Sequence, residues 1–204
     1  MFYNVICGII RVLFRWRIKA EGLENMPKDG AVVVIANHRH MFDPVIIAIA
    51  LRRPVSFLCK KELCANKVLN WFFRKLNCIP IDRDNMDRGA LRECVDVLKN
   101  GRVLGIFPEG TRAKTENMLP FKSGATFVSS QAPCQIVPMG IEGSRRLVHI
   151  FSKKVGLKVG EPFLYEALEG ERRRDTLERM TQKQEDAVRA LLPQAPSEEG
   201  TVTK

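Results

Sequence analysis

The chain reads as an α/β domain, a largely parallel β-sheet flanked by helices, preceded by an amphipathic helix suited to a membrane interface. Three observations carry that reading. Short β-branched runs alternate with segments of helical period, turn formers separate them, and the polar motifs fall at the ends of apolar runs. In α/β folds the loops beyond the strand ends hold the functional groups, so the motifs stand where a site is expected.

From Met1 to Trp16 the sequence is apolar and aromatic, with Phe2, Tyr3, Ile9, Ile10, Leu13, Phe14 and Trp16 set beside Arg11, Arg15 and Arg17. The arginines interrupt it short of the roughly 20 apolar residues that span a bilayer. No basic region precedes it, as one would in a signal peptide. A helix lying in the membrane surface suits the pattern, and an ordinary amphipathic helix packed on the domain is the alternative. The expected organisation is an amino-terminal segment 1–20, a main domain 21–168, a closing helix 169–192 and a flexible tail 193–204.

Within the main domain, the linker Glu21–Gly30 leads to a buried strand at Ala31–Ala36. Asp43-Pro44 starts a helix, since Asp favours the N-cap and Pro the first turn. Val55–Cys59 is a second strand, Asn66–Leu76 a helix with an aromatic cluster, and Cys78–Arg83 a third strand. Asp87–Lys99 has helical periodicity through Leu91, Val95 and Leu98, with Gly101 as a stop. Arg102–Phe107 is a fourth strand, Ser123–Gln131 a helix, and Gln135–Ile141 and Leu157–Phe163 are further strands. Glu169–Leu192 shows an apolar face from Leu177, Met180, Val188 and Leu191.

With 204 residues, 45% of them hydrophobic and 27% charged, one domain with a substantial core is expected. The net charge of +10 predicts a surface that attracts anions. Phosphorylated substrates, anionic lipids, an acidic carrier protein and nucleic acid all answer to that field. The chain lacks the aromatic strand motifs and zinc-finger spacing of nucleic-acid binders, so nucleic acid is not an expected partner. Six cysteines without a C-x-x-C pair read as buried thiols of a reducing compartment. With three histidines, no metal centre is expected. No G-x-S-x-G turn is present, which argues against a serine hydrolase.

The segment Asn37-His38-Arg39-His40-Met41-Phe42-Asp43-Pro44 sets a histidine and a carboxylate five residues apart. A carboxylate bonded to one ring nitrogen fixes the tautomer and leaves the other nitrogen to accept a proton. Asp43 has two open roles, capping the helix at Pro44 and orienting His38. His40 reads as an incidental loop residue, Asn37 as a backbone binder within the turn, and Met41 and Phe42 as packing residues. Lys60 and Lys61, after the second strand, are equally well read as anion binders or as a solvated face. Leu69, Trp71, Phe72 and Phe73 fit core packing better than an acyl tunnel or membrane contact.

Four ordered segments resemble the glycerolipid acyltransferase family, which includes the bacterial 1-acylglycerol-3-phosphate acyltransferases. They are the N-H-x-x-x-x-D motif at Asn37–Asp43, Ile79-Pro80-Ile81-Asp82-Arg83, Phe107-Pro108-Glu109-Gly110-Thr111-Arg112, and Ile136-Val137-Pro138-Met139-Gly140-Ile141. Phe121-Lys122-Ser123-Gly124-Ala125 is also similar to the family. The resemblance implies a catalytic domain at 21–168 that moves a fatty acyl group from acyl-CoA or acyl-acyl carrier protein. Its acceptor is the sn-2 hydroxyl of 1-acyl-sn-glycerol 3-phosphate, and its product phosphatidic acid. It implies His38 as general base, Asp43 as its partner, and Arg83 and Arg112 on the phosphate. Gly110 and Thr111 form a turn with exposed amides, and Glu109 bonds the glycerol portion or holds an arginine. Neither cofactor nor metal is implied, and the place implied is peripheral, on the cytoplasmic face of a bacterial inner membrane. Another acceptor, such as glycerol 3-phosphate or a different lysophospholipid, is the first alternative, and a basic non-catalytic membrane-binding module the second.

Overall fold

In the computed structural model, residues 2–82, 87–115, 117–147 and 153–193 are described. Helix α1 (Phe2–Phe14) packs on the domain through the carboxyl end of α2 (Asp43–Ala50). The Arg11 guanidinium donates to the carbonyls of Ile49 at 2.9 Å and Leu51 at 2.5 Å, groups that a helix end leaves without intrahelical partners. Tyr3 accepts the Val55 amide through its hydroxyl at 3.1 Å. The outer side of α1 and the turn after it carry Val5, Ile9, Val12, Leu13 and Trp16, each at least half exposed. One face is packed and an apolar face stays open.

Strand β1 (Ile18–Glu21) is an element that the sequence reading does not contain. Its Ile-Lys-Ala-Glu is too short and too mixed to show a period. It pairs in parallel with β7 (Val155–Val159), which ties the amino-terminal segment into the sheet across residue 20. Strand β2 (Val32–Ala36) is buried along its whole length, as its unbroken β-branched run predicts. Then come β3 (Val55–Lys60), α3 (Lys67–Lys75), β4 (Cys78–Ile81), α4 (Arg88–Lys99) and β5 (Val103–Ile106). Asn66 caps α3 by accepting the Leu69 amide at 2.7 Å, and Asp87 caps α4 by accepting that of Ala90 at 2.9 Å.

Helix α5 (Gly124–Ser129), strands β6 (Gln135–Glu142) and β8 (Phe163–Leu164) and helix α6 (Arg173–Arg189) complete the domain. The single strand expected at Leu157–Phe163 is instead two, because Gly160-Glu161-Pro162 intervenes and proline has no amide for the ladder. The buried stripe of α6 is Thr176, Met180, Gln184 and Val188, four residues apart, so Met180 and Val188 fall where expected and Leu177 lies at the margin. Cys7, Cys59, Cys94 and Cys134 are buried, whereas Cys64 and Cys78 are half-buried.

The strand order is β1-β7-β6-β2-β5-β3-β4, with β8 beside β6. All pairings are parallel except those of β6 with β7 and β8. Val32, Val34 and Ala36 face a core shared with α1 and α2, and Val33 and Ile35 face one shared with α4, α5 and α6. Strand β2 lies between β5 and β6. The chain leaves β2 for β3 on one side and leaves β5 for β6 on the other, which opens a crevice at their carboxyl ends. The His38 loop leaves β2 and the Phe107–Arg112 segment leaves β5, so these two motifs border that crevice.

Candidate active site

Beyond Ala36 the chain turns through six residues into α2, and the turn is organised by one carboxylate oxygen. Asp43 Oδ2 accepts from His38 Nδ1 at 2.8 Å, from the Arg39 amide at 2.7 Å and from the His40 amide at 2.7 Å. The N-cap of α2 is Phe42, without a side-chain cap bond, so Asp43 turns away from the helix amides and toward His38. Capping as its sole role is thereby excluded. A carboxylate accepting at Nδ1 favours the neutral tautomer with its proton on Nδ1 and its lone pair on Nε2. Asp43 is fully buried and His38 8% exposed, which shields their contact from water.

His38 is held by three further contacts, one to its ring and two to its backbone. Phe107 stacks on the imidazole with centroids 4.2 Å apart, and Phe57 stacks on Phe107 in turn. The His38 amide donates to Glu109 Oε1 at 2.6 Å, and the His38 carbonyl accepts the Ala113 amide at 2.8 Å. Asn37 exchanges two bonds with the backbone of Ile141, at 2.9 and 2.8 Å, so it binds β6 rather than its own turn.

Glu109 is 2% exposed, and its other oxygen accepts the Leu119 amide at 2.9 Å. Burial pushes its carboxyl pKa up, opposed by the two amide bonds and the nearby His38. Its oxygens thus link the His38 loop to the segment before α5. Glu109→Gln is expected to leave one of those two amides unpaired, since an amide NH2 cannot accept. The cost is about 1–3 kcal/mol, read as a lower thermal midpoint together with a reduced kcat.

The third segment bends at Gly110, whose φ of 72° is left-handed; a Cβ there would meet the Lys122 side chain at 3.2 Å. The Gly110 amide bonds the Phe107 carbonyl at 3.0 Å, so it is engaged within the turn rather than exposed. Thr111 and Arg112 are exposed. Arg83 lies outside the described residues. Lys60 is ion-paired with Glu62 at 3.0 Å. Met41 is 63% exposed rather than packed, while Phe42 packs against the core. Burial lowers the pKa of His40; Asp43 opposes this, and Arg145, Arg112 and His38 add to it.

An apolar cavity of about 280 Å³ lies on the other face of the sheet, lined by Leu58, Leu91, Cys94, Ile106 and Val128 and bordered by Gly110. The aromatic cluster of α3 is not core. No residue of α3 is buried, Val68, Leu69 and Trp71 are exposed, and Phe2 of α1 meets Trp71 edge-on at 5.5 Å. The two helices present neighbouring apolar surface.

The family model described as "Acyltransferase" matches residues 17–142, more than half of the chain. The chain belongs to the acyltransferase family. This acyltransferase is 30% identical over 164 residues to the 1-acyl-sn-glycerol-3-phosphate acyltransferase of Bacillus subtilis, covering 78% of the chain and 81% of the relative. It is 31% identical over 170 residues to the protein of the same name from Streptococcus pneumoniae, covering 79% of the chain and 62% of that relative. Its fold matches the crystal structure of the 1-acyl-sn-glycerophosphate (LPA) acyltransferase PlsC from Thermotoga maritima. The TM-score is 0.71 at 29% identity, over 93% of the chain and 78% of the solved one. These relatives support an O-acyltransferase.

Sequence reasoning left out several contacts around the candidate site. The Phe107 stack had a signal, since Phe107 opens the third segment. The Asn37 bond to β6 and the placement of Arg145 had none, because both depend on strands brought together from more than 100 residues apart. Among the described residues no serine, threonine or cysteine hydrogen-bonds to His38. Its Nε2 therefore has no partner of the kind that serves as a nucleophile in a hydrolase triad.

Proposed function

We propose that this acyltransferase moves a fatty acyl group from acyl-CoA or acyl-acyl carrier protein to the sn-2 hydroxyl of 1-acyl-sn-glycerol 3-phosphate. The observation that carries the reading is the His38–Asp43 bond, which leaves Nε2 as a lone-pair acceptor beside an arginine-bearing turn. Nε2 takes the hydroxyl proton as the acceptor oxygen attacks the thioester carbonyl carbon. The carbon–sulfur bond then breaks, and the departing thiolate takes the proton from the imidazolium. Asp43 stabilises that imidazolium between the two steps. The products are phosphatidic acid and the free thiol.

On this reading Arg112 binds the acceptor's phosphate, with Arg83 from the second segment. Gly110 and Thr111 shape the turn, and Glu109 holds the His38 loop in register. The apolar cavity has the chemistry to take an acyl chain. Among the described residues no helix is long and apolar enough to cross a membrane. The open apolar faces of α1 and α3, beside Arg15, Lys67, Arg74 and Lys75, suit peripheral attachment to anionic lipid, on the cytoplasmic face of a bacterial inner membrane.

The test is product formation by the purified protein with 1-acylglycerol 3-phosphate, glycerol 3-phosphate or another lysophospholipid as acceptor, each with either thioester. The first acceptor is expected to give the highest kcat/KM; a higher value for another would reassign the substrate. Arg112→Gln is expected to raise the KM for 1-acylglycerol 3-phosphate by about 10- to 100-fold, the worth of a charge-assisted bond, with the donor's KM nearly unchanged. An unaltered acceptor KM would remove Arg112 from the phosphate site.

A further inference from the structure

Two backbone stitches set the walls on either side of the His38 loop. The Ala113 amide, bonded to the His38 carbonyl at 2.8 Å, holds its neighbour Arg112 beside the loop. The paired bonds between Asn37 and Ile141 hold the end of β6 on the opposite side. From Ile141 the chain passes through Glu142 and the left-handed Gly143, φ 67°, into the tight turn Ser144–Arg146. Ser144 and Leu147 are buried and anchor that turn, while Arg145 between them is exposed.

Arg145 belongs to none of the four motif segments, yet its charge acts with that of Arg112 on a common neighbour, the His40 ring. Among the described residues neither arginine has a hydrogen-bonded or ion-paired carboxylate. The charged and titratable groups acting on His40 are Asp43, Arg145, Arg112 and His38. Asp43 is already occupied by three donors through Oδ2. His40 Nδ1 is enclosed and has no hydrogen-bond partner. Two exposed guanidiniums without a carboxylate partner, on the segments that flank the His38 loop, form a surface suited to an anion.

The acceptor's own chemistry places its anion there. Its phosphate ester oxygen sits on the carbon next to the one bearing the reacting hydroxyl. With that hydroxyl at His38 Nε2, the phosphate has to lie beside the same loop.

We infer that Arg145 is a second binder of the acceptor's phosphate, closing on it from the β6 side while Arg112 closes from the β5 side, with His40 between them. The inference rests on the acceptor reading given above. Arginine is suited to the task because its planar fork engages two phosphate oxygens, which lysine, a point charge, does not. A bound phosphate dianion also offsets the two cations next to His40, so its arrival favours protonation of that ring.

Arg145→Gln, Arg145→Lys and Arg112→Gln, compared with the wild type in initial-rate measurements varying each substrate, test the inference. Arg145→Gln is expected to raise the acceptor's KM by about 10- to 100-fold with the donor's KM unchanged, and Arg145→Lys to give a smaller rise. Its thermal midpoint should match the wild type, since Arg145 is exposed and holds no hydrogen bond or ion pair among the described residues. An NMR titration of the His40 ring gives a readout independent of turnover. Glycerol 3-phosphate as probe should raise its pKa in the wild type and much less in Arg145→Gln. If Arg112→Gln raises the acceptor's KM and Arg145→Gln leaves it unchanged, the inference is overturned and the acceptor reading stands. If neither variant alters it, or both act only on the donor's KM, the phosphate reading fails and the inference with it.

Discussion

His38→Ala is expected to lower kcat by about 100- to 10,000-fold, the usual worth of general-base assistance, while both KM values stay close to wild type. The ring is the only group on the His38 loop whose free nitrogen is oriented by a buried carboxylate. Its backbone contacts to Glu109 and Ala113 survive the substitution, so the loop keeps its place. Initial rates over both substrates, with a melting curve as a control on folding, separate lost chemistry from lost structure. A variant retaining most of the wild-type kcat would remove His38 from the reaction.

Asp43→Asn is expected to cost nearly as much, with an added loss of stability. Three donors converge on one oxygen of Asp43, and its other oxygen is buried without a partner. With its carbonyl in the Oδ2 position, an asparagine keeps the bonds but not the charge that stabilises the imidazolium. Turned the other way, its NH2 faces two backbone amides and forces His38 to carry its proton on Nε2, where it cannot act as a base. Either outcome removes the function of the pair; in a serine-protease triad the same replacement costs on the order of 10⁴ in kcat. Leaving a buried donor unsatisfied adds about 1–3 kcal/mol of destabilisation, visible as a lower denaturation midpoint. A fully active Asp43→Asn enzyme would contradict the pairing drawn from the 2.8 Å contact.

What the sequence made legible follows physical lines. Strand β2 was readable because a central strand in a parallel sheet, covered on both faces, has to be apolar throughout. Asn66 and Asp87 marked helix starts because their short polar side chains reach the first free amides. Strand β1 was not readable, since four mixed residues gain their order only from pairing with β7. The aromatic face of α3 shows the limit of periodicity, which reveals that a helix has an apolar side but not what covers it. The expectation of core packing fails there, because no residue of α3 is buried and Trp71 is exposed.

At the site, the motif spacing was enough to pair His38 with Asp43, since five residues of one tight loop bring them together. The motif could not show that Glu109 turns inward. The expectation that Glu109 bonds the glycerol portion or holds an arginine gives way to two backbone amides, from His38 and Leu119, one on each of its oxygens. Asn37 was assigned to its own turn because Asn commonly bonds nearby backbone, whereas its partner in β6 lies 104 residues on. Such long-range polar contacts carry no local pattern, and they hold the two walls of the crevice at fixed spacing.

On the proposed mechanism the acyl group passes directly from thioester to lipid alcohol with no acyl-enzyme, unlike the course followed by a hydrolase triad. Rapid mixing of the protein with a stoichiometric acyl-CoA in the absence of acceptor, followed by quenching and measurement of free thiol and protein-bound acyl group, tests it most directly. The mechanism predicts no burst of thiol and no acylated protein, with thiol release beginning only when 1-acylglycerol 3-phosphate is added. A burst approaching one equivalent of thiol per enzyme, matched by covalently bound acyl group, would contradict it.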